Sequence, residues 1–328
     1  MEAEGISLLG EGDFDERMRT ENEPWRRSTV TDGSIRGFDG TELHYYRAMH
    51  DHPKGSIVIV HGFCEFWGKY HEVAWYLWQL GFSVYFLEQR CHGRSERLLS
   101  DPEMVHVDSF DDYVLDLKCF LDQIVVPERQ GKKLFLFAHS MGGAVGALFL
   151  EKYPRYFRAA VLCSPMLKFK RRGVPEAAVR IMYRHARIHH LERQISYGQS
   201  HFSPVPDFEH SSQLSPARYM YQFRQRQNDR SDQMSAATYG WTCAGIDMEK
   251  PVIRRANRVR IPVLLFQAGR DHLVQTESQD AFAKRAGNTE LIRYAASKHE
   301  VFNATDEIRR DFYERVFRFY NREAARYQ

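Results

Sequence analysis

Long apolar runs are missing from this chain. No stretch of about 18 apolar residues occurs in its 328 residues, so no segment is expected to cross a membrane as a helix. The opening Met-Glu-Ala-Glu-Gly is acidic and lacks the apolar core, roughly 7–15 residues long, of a secretory signal. Cysteine is scarce: five residues (64, 91, 119, 163 and 243), odd in number and without metal-ligand spacing. That excludes a disulfide framework and points to a reducing compartment. No charge sign dominates. Formal net charge is +3, too small to argue for nucleic acid as a partner. Repeats and low-complexity tracts are also missing. These absences leave a cytoplasmic protein as the expectation.

What is present is material for a large core. Hydrophobic residues make up 43% and aromatic residues 13%, enough for one large α/β domain with an insertion or for two domains. Residues 29 to 47 alternate around Asp32-Gly33 and Asp39-Gly40 and read as antiparallel strands at a sheet edge. Ser56–Val60 and Lys133–Phe137 are continuous apolar runs, typical of strands buried on both faces. Phe82–Leu87, Ala159–Cys163, Val263–Gln267 and Leu291–Tyr294 read as further strands. Tyr70–Leu80, Phe110–Ile124 and Met141–Leu150 read as helices between them. This alternation predicts a doubly wound, mostly parallel sheet. The rhythm stops between Ser164 and Arg260. There, helical patches at Val174–Leu191, Pro216–Gln227 and Ser235–Asn257 predict a helical cap inserted before the penultimate core strand. The expected organisation is an N-terminal extension lying on the domain (1–27), a first part of the core (28–165), the cap (166–258) and a second part of the core (259–328).

Ser140 stands between the run Lys133–Phe137 and the helix from Met141, with Ala138, Gly142 and Gly143 around it. A nucleophile elbow needs this arrangement. Strand and helix nearly touch, so positions two before and two after the serine must be small, and the hydroxyl stands exposed above the sheet. The usual first glycine is Ala138 here, whose methyl crowds the turn slightly. A small-residue helix start packed on a strand leaves the same short pattern, so the rest of the chain must decide. A serine hydroxyl needs an adjacent base, itself oriented by an acid. In this architecture the parts follow in the order Ser, Asp or Glu, His. Asp271 follows the strand Val263–Gln267, and His299 follows the strand Leu291–Tyr294. Asp280 and Glu300 fall inside helical pattern or one residue late. Ser140, Asp271 and His299 are therefore the expected catalytic residues. The oxyanion donors are expected at the Met141 amide, which opens a helix, and the Phe63 amide in His61-Gly62-Phe63-Cys64-Glu65. His61 is expected to orient this loop, and His139, Cys64 and Cys91 to be structural.

Together His61–Tyr70, Glu88–Ser95, His139–Gly143, Gln267–Asp271 and His299 resemble the α/β-hydrolase family of monoacylglycerol lipases and bacterial lysophospholipase L2. The likeness runs from about residue 30 to 320. Gly93–Pro102 and His106–Phe110 resemble the lysophospholipase L2 group in particular. The resemblance implies an α/β-hydrolase fold. It also implies a serine esterase that cleaves lysophospholipid or monoacylglycerol through an acyl-enzyme, with no metal or organic cofactor. Two departures stand out: Glu88-Gln-Arg-Cys91-His-Gly replaces the usual Asp-x-Arg-Gly-His-Gly, and Ala138 replaces glycine. A short-chain esterase, a thioesterase or a proline-type aminopeptidase would use the same fold and triad. A non-catalytic partner-binding module would lack a triad member, and none is missing.

The small net charge hides an asymmetry. Residues 168 to 230 hold 12 Lys and Arg against 5 Asp and Glu, while residues 1 to 27 hold 8 acidic residues against 4 Arg. A basic cap suits a phosphate head group or an anionic membrane surface at the inner face, although a solvated helical surface accounts for the same charges. Glu65, Lys170, Arg171 and Arg172 are the expected substrate-binding residues. The three cations should reach the rim above Ser140, because crevices in such sheets open at the carboxyl ends of strands. The expected partners are a single-chain lipid substrate and a membrane surface touched peripherally, with oligomeric state open.

Overall fold

The computed structural model describes residues 1–129, 131–171 and 174–326. The apolar runs form the middle of an eight-stranded sheet. Its strands are β1 (Val30–Arg36), β2 (Glu42–Ala48), β3 (Ser56–Val60), β4 (Ser83–Leu87), β5 (Leu134–His139), β6 (Ala159–Cys163), β7 (Val263–Ala268) and β8 (Thr289–Tyr294). Their order across the sheet is β8-β7-β6-β5-β3-β4-β2-β1. Strands β3 to β8 pair in parallel, and β2 runs antiparallel to β1 and β4. Alternate side chains of a strand point to opposite faces, so a strand buried on both faces must be apolar throughout. Along β3, Val58 and Val60 join one hydrophobic cluster while Ile57 and Ile59 join another on the opposite face. β5 repeats the division, with Leu134, Leu136 and Ala138 on one side and Phe135 and Phe137 on the other.

The longer helices among the described residues are α1 (His71–Gln79), α2 (Phe110–Phe120), α3 (Ser140–Lys152), α4 (Glu176–Ile188), α5 (Pro216–Asn228), α6 (Tyr239–Arg254), α7 (Thr276–Ala286) and α8 (Asp306–Ala325). α2, α3, α6 and α7 contribute to the first cluster, α1 and α8 to the second. The chain is an α/β-hydrolase in fold, with α4, α5 and α6 inserted between β6 and β7. The helix expected over 235–257 starts later. Ala236–Ala237 instead pair in parallel with Met104–Val105, and Thr238 caps the helix by accepting the Trp241 amide at 3.1 Å. α6 is drawn into the main core through Trp241, Ala244, Met248 and Val252. α4 is covered least: Val179, Tyr183 and Ala186 face inward, whereas Ile181 and Ile188 are 70% and 63% exposed.

The charged first residues are tied down. Leu8 and Leu9 are fully buried, and residues 14 to 29 form helical turns that bury Phe14, Met18 and Trp25. The Leu9 amide donates to the Tyr76 hydroxyl at 2.7 Å, and its carbonyl accepts from Arg218 and Arg309 at 3.0 and 2.9 Å. Both guanidinium groups also donate to Glu72, at 2.8 and 2.5 Å. This buried hub joins α1, α5, α8 and the N-terminal segment.

Candidate active site

Ser140 has φ +51°, in the left-handed region that side chains other than glycine avoid. The close approach at the elbow explains its small neighbours. A Cβ at Gly142 would lie 2.2 Å from the Val60 carbonyl oxygen, and one at Gly143 2.7 Å from Pro165 Cβ. The Ala138 methyl fits because the facing position is Gly146, where a Cβ would come within 3.3 Å of it. The Ser140 carbonyl accepts the Met166 amide at 2.8 Å, which ties the elbow to the chain leaving β6.

The three residues expected from separate strand ends meet here. Ser140 Oγ lies 2.8 Å from His299 Nε2, and His299 Nδ1 lies 2.6 Å from Asp271 Oδ2. Asp271 Oδ1 accepts the Leu273 and Val274 amides at 2.8 and 3.0 Å. Burial pushes the Asp271 carboxyl up. His299 and these two amides more than offset that, so it sits below its ordinary value. Ser164 Oγ donates to the His299 carbonyl at 2.7 Å and fixes the base loop from β6. Asp280 faces elsewhere, with its Oδ1 accepting from Gln267 and Arg293.

The loop after β3 is braced from several sides. His61 Nε2 accepts the Gln89 amide at 3.0 Å while its Nδ1 lies 2.7 Å from the Gly62 carbonyl; burial pushes its pKa down to about 4. The Phe63 ring packs on Trp241, with centroids 4.4 Å apart. Cys64 follows with φ +55°, and its amide donates to His92 Nε2 at 3.1 Å. Among the described residues the Phe63 amide meets no protein acceptor. The Met141 amide belongs to the first turn of α3, where N–H groups have no intrahelical partner.

Two expectations are corrected here. Glu65 does not face a substrate. It is buried and accepts from the Gly62 amide and the Tyr70 hydroxyl at 2.5 Å each, from Lys69 at 2.6 Å and from His139 at 3.0 Å. Lys69 also pairs with Glu300 at 2.7 Å. Glu65 stays well below its ordinary pKa, because these cationic and donor partners outweigh its burial. The cap cations are committed as well. Lys170 donates to the Asp271 carbonyl at 2.6 Å, and Arg171 bonds Glu176 at 3.0 Å and Glu249 at 2.5 Å. They fasten the cap to the acid loop and to α6 rather than offering charge to a head group. Arg172 lies outside the described residues. Lys69 is not singled out by the sequence, and Glu300 is weighed there only as a rival to the three expected catalytic residues. The spacing of Glu65 and Lys69, four apart, was the available signal.

The two departures from the usual motif have physical reasons. Cys91 occupies the left-handed region at φ +63°, where a glycine is ordinarily found. Glu88 accepts the Arg94 amide at 2.7 Å, and a Cβ at Gly93 would come within 2.0 Å of the Glu88 carboxyl. Burial pushes Glu88 up to about 8. A cavity of about 340 Å³ is lined among others by Cys64, Lys69, Phe202, Gln222, Arg226 and Glu300. Burial pushes the Cys64 thiol up to about 12, so it is no nucleophile at neutral pH. No group of His, Cys, Asp and Glu among the described residues is arranged to hold a metal ion.

The chain is 30% identical over 308 residues to lysophospholipase L2 of Escherichia coli (strain K12), covering 91% of this chain and 89% of that protein. Among solved structures it is similar to Paleococcus ferrophilus monoacylglycerol lipase. The TM-score is 0.64 at 21% identity, covering 86% of this chain and 98% of that one. It is also similar to a soluble variant of monoglyceride lipase from Saccharomyces cerevisiae, with TM-score 0.72 at 15% identity, over 90% and 96% of the two chains. The family described as serine aminopeptidase, S33, matches residues 51–306, most of the chain and the whole stretch from β3 through His299, so the chain belongs to that family and is an α/β-hydrolase enzyme.

Proposed function

We propose that this carboxylic ester hydrolase cleaves the acyl ester of a single-chain lipid, a lysophospholipid or a monoacylglycerol, through Ser140, His299 and Asp271. The observation that carries the reading is the unbroken line from Ser140 Oγ to His299 Nε2 at 2.8 Å and from His299 Nδ1 to Asp271 Oδ2 at 2.6 Å, beneath a serine held at φ +51°. Ser140 Oγ attacks the ester carbonyl while His299 takes its proton, and Asp271 holds the imidazole in the tautomer that can accept it. The amides of Phe63 and Met141 receive the charge that develops on the carbonyl oxygen. His299 returns the proton to the departing alcohol, leaving an acyl-Ser140 ester. Water, deprotonated by His299, then releases the fatty acid. The names of the relatives, lysophospholipase L2 and monoacylglycerol lipase, support the lipid class. The exposed apolar residues of α4, interleaved with arginines, support peripheral contact with an anionic membrane surface at the cytoplasmic side.

A fluorophosphonate probe should label the wild type and leave Ser140→Ala unlabelled. Hydrolysis should fall by on the order of 10⁶ in Ser140→Ala, as when a triad nucleophile is removed. Activity above about one per cent of wild type in that variant would overturn the assignment. A substrate panel decides the class: lysophospholipids, monoacylglycerols, short p-nitrophenyl esters and Pro-peptides. Turnover of Pro-peptides alone would favour the aminopeptidase named in the family description.

A further inference from the structure

The cavity bordered by Cys64 and Glu300 holds a cation that no carboxylate contacts directly. Arg226 on α5 lines it, donating from Nε to the Asp232 carbonyl at 2.9 Å and from one terminal nitrogen to the Met234 carbonyl at 2.7 Å. Its guanidinium lies over the Phe202 ring, 4.7 Å from the centroid. Its remaining N–H groups meet no protein acceptor among the described residues, and the carboxylates of Asp232 and Glu103 act on it only from beyond ion-pair distance. A partly buried guanidinium without a counter-ion is costly unless an anion arrives. The other charged groups on the lining are already balanced. Lys69 sits between Glu65 and Glu300, and Asp207 pairs with His210 at 2.9 Å. Neutral donors surround the guanidinium. The oxygen of Gln222 is taken by Gln213 at 2.6 Å, which leaves the Gln222 amide nitrogen as a donor, and Ser203 and Ser212 also line the cavity. The wall includes Cys64 and Glu300, the residues directly after Phe63 and His299, so the cavity adjoins the two loops that carry these residues.

We infer that Arg226 binds the phosphodiester of a lysophospholipid head group in this cavity, and that this selects lysophospholipids over neutral monoacylglycerols of the same acyl chain. The inference rests on the Ser140 reading above. A planar fork with free N–H groups fits two phosphate oxygens, whereas a monoacylglycerol offers the same site only hydroxyls. Phosphate recognition is thereby placed on α5 rather than on Lys170, which is held at the Asp271 carbonyl, or Arg171, which is paired with Glu176 and Glu249.

Two measurements test it. With detergent-dispersed monomers, Arg226→Gln should raise KM for a lysophosphatidylethanolamine by on the order of 10- to 100-fold, the range for losing charge-assisted hydrogen bonds. The change for the matching monoacylglycerol should be at least several-fold smaller. Arg226→Lys, which keeps the charge and loses the fork, should fall between. Equal losses on both substrates would mean that Arg226 only pins the chain at 232–234, and would overturn the inference. The second measurement needs no turnover. By calorimetry, Ser140→Ala should bind glycerophosphoethanolamine, and adding Arg226→Gln should abolish that binding. No binding, or binding indifferent to Arg226, overturns the site. Inorganic phosphate binding as tightly as the diester overturns the head-group assignment in favour of a free-phosphate site. Should the wild type hydrolyse neither lipid, the Ser140 reading falls while the calorimetry still decides on Arg226.

Discussion

Four donors converge on the two oxygens of Glu65: the Gly62 amide, the Tyr70 hydroxyl, Lys69 and His139. One carboxylate therefore holds the loop after β3, the residue before Ser140 and, through Lys69, the residue after His299. Glu65→Gln should keep KM nearly constant and lower kcat by on the order of 10- to 100-fold, less than outright loss of an oxyanion donor. An effect confined to KM would sink the positioning role. Glu151 is the opposite case, a buried carboxyl whose oxygens meet no partner among the described residues. Burial pushes it up to about 8, with Arg255 and Arg258 offsetting only part. Its folded pKa lies above its unfolded one, so its share of stability is present below the ordinary carboxylate range and is lost as pH rises to about 8. The melting temperature of Glu151→Gln minus that of wild type should therefore increase from pH 5 to pH 8, and a flat difference would refute the claim. At this scale the convergence of Ser140, Asp271 and His299 was legible because chain order and small neighbours constrain it. The roles of Glu65, Lys170 and Arg171 were not. Sequence displays a charge but not its partner, and the partners of Arg171 are five and 78 residues away.

Glu72, Arg218 and Arg309 act between elements rather than within one. Arg218 is 1% exposed and Arg309 fully buried, and both depend on the Glu72 carboxylate and the Leu9 carbonyl. Glu11 adds to the joint by accepting from the Ser215 hydroxyl at 2.5 Å and the Ala217 amide at 2.7 Å, which caps α5 with a residue from the N-terminal segment. Breaking a buried pair leaves an uncompensated charge, so Glu72→Gln should lower the urea-derived stability by about 3–5 kcal/mol. Arg218→Ala should act more locally, speeding amide exchange across Pro216–Asn228 while leaving β5 protected. Equal acceleration in both places would show that α5 and the sheet open together. The core elements could be read directly because each apolar run buries itself on both faces. The pairing of Ala236–Ala237 with Met104–Val105 could not. Two short residues carry no periodicity, and their partners lie more than a hundred positions away. The packing of Leu8 and Leu9 was similarly concealed within a charged segment.

The molecule as a whole presents its charge unevenly. Residues 168 to 230 hold 12 basic against 5 acidic side chains, and within them α4 turns Ile181 and Ile188 outward, with Val174 just before it 43% exposed. Arg180 and Arg187 on the same helix are paired with Glu176 and Asp247, and Arg184 meets no carboxylate among the described residues. Apolar side chains with arginines beside them gain twice at an anionic bilayer, from burial among acyl chains and from attraction to head groups. At a neutral one only the burial contribution remains. No helix among the described residues is long and apolar enough to cross a membrane. Co-sedimentation with phosphatidylglycerol vesicles should therefore exceed that with phosphatidylcholine vesicles. Ile181→Ser with Ile188→Ser should reduce it by removing the burial term. Arg184→Gln and added salt should reduce it through the charge term, since exposed charges are screened over about 8 Å at physiological ionic strength. Detergent-dispersed substrate needs no bilayer, so its hydrolysis separates docking from catalysis: the double serine variant should lose activity on vesicle-borne lipid far more than on monomers. Binding equally to both vesicle types, or undiminished by the serines, would mean that α4 is a solvated face and that the enzyme takes its substrate from solution.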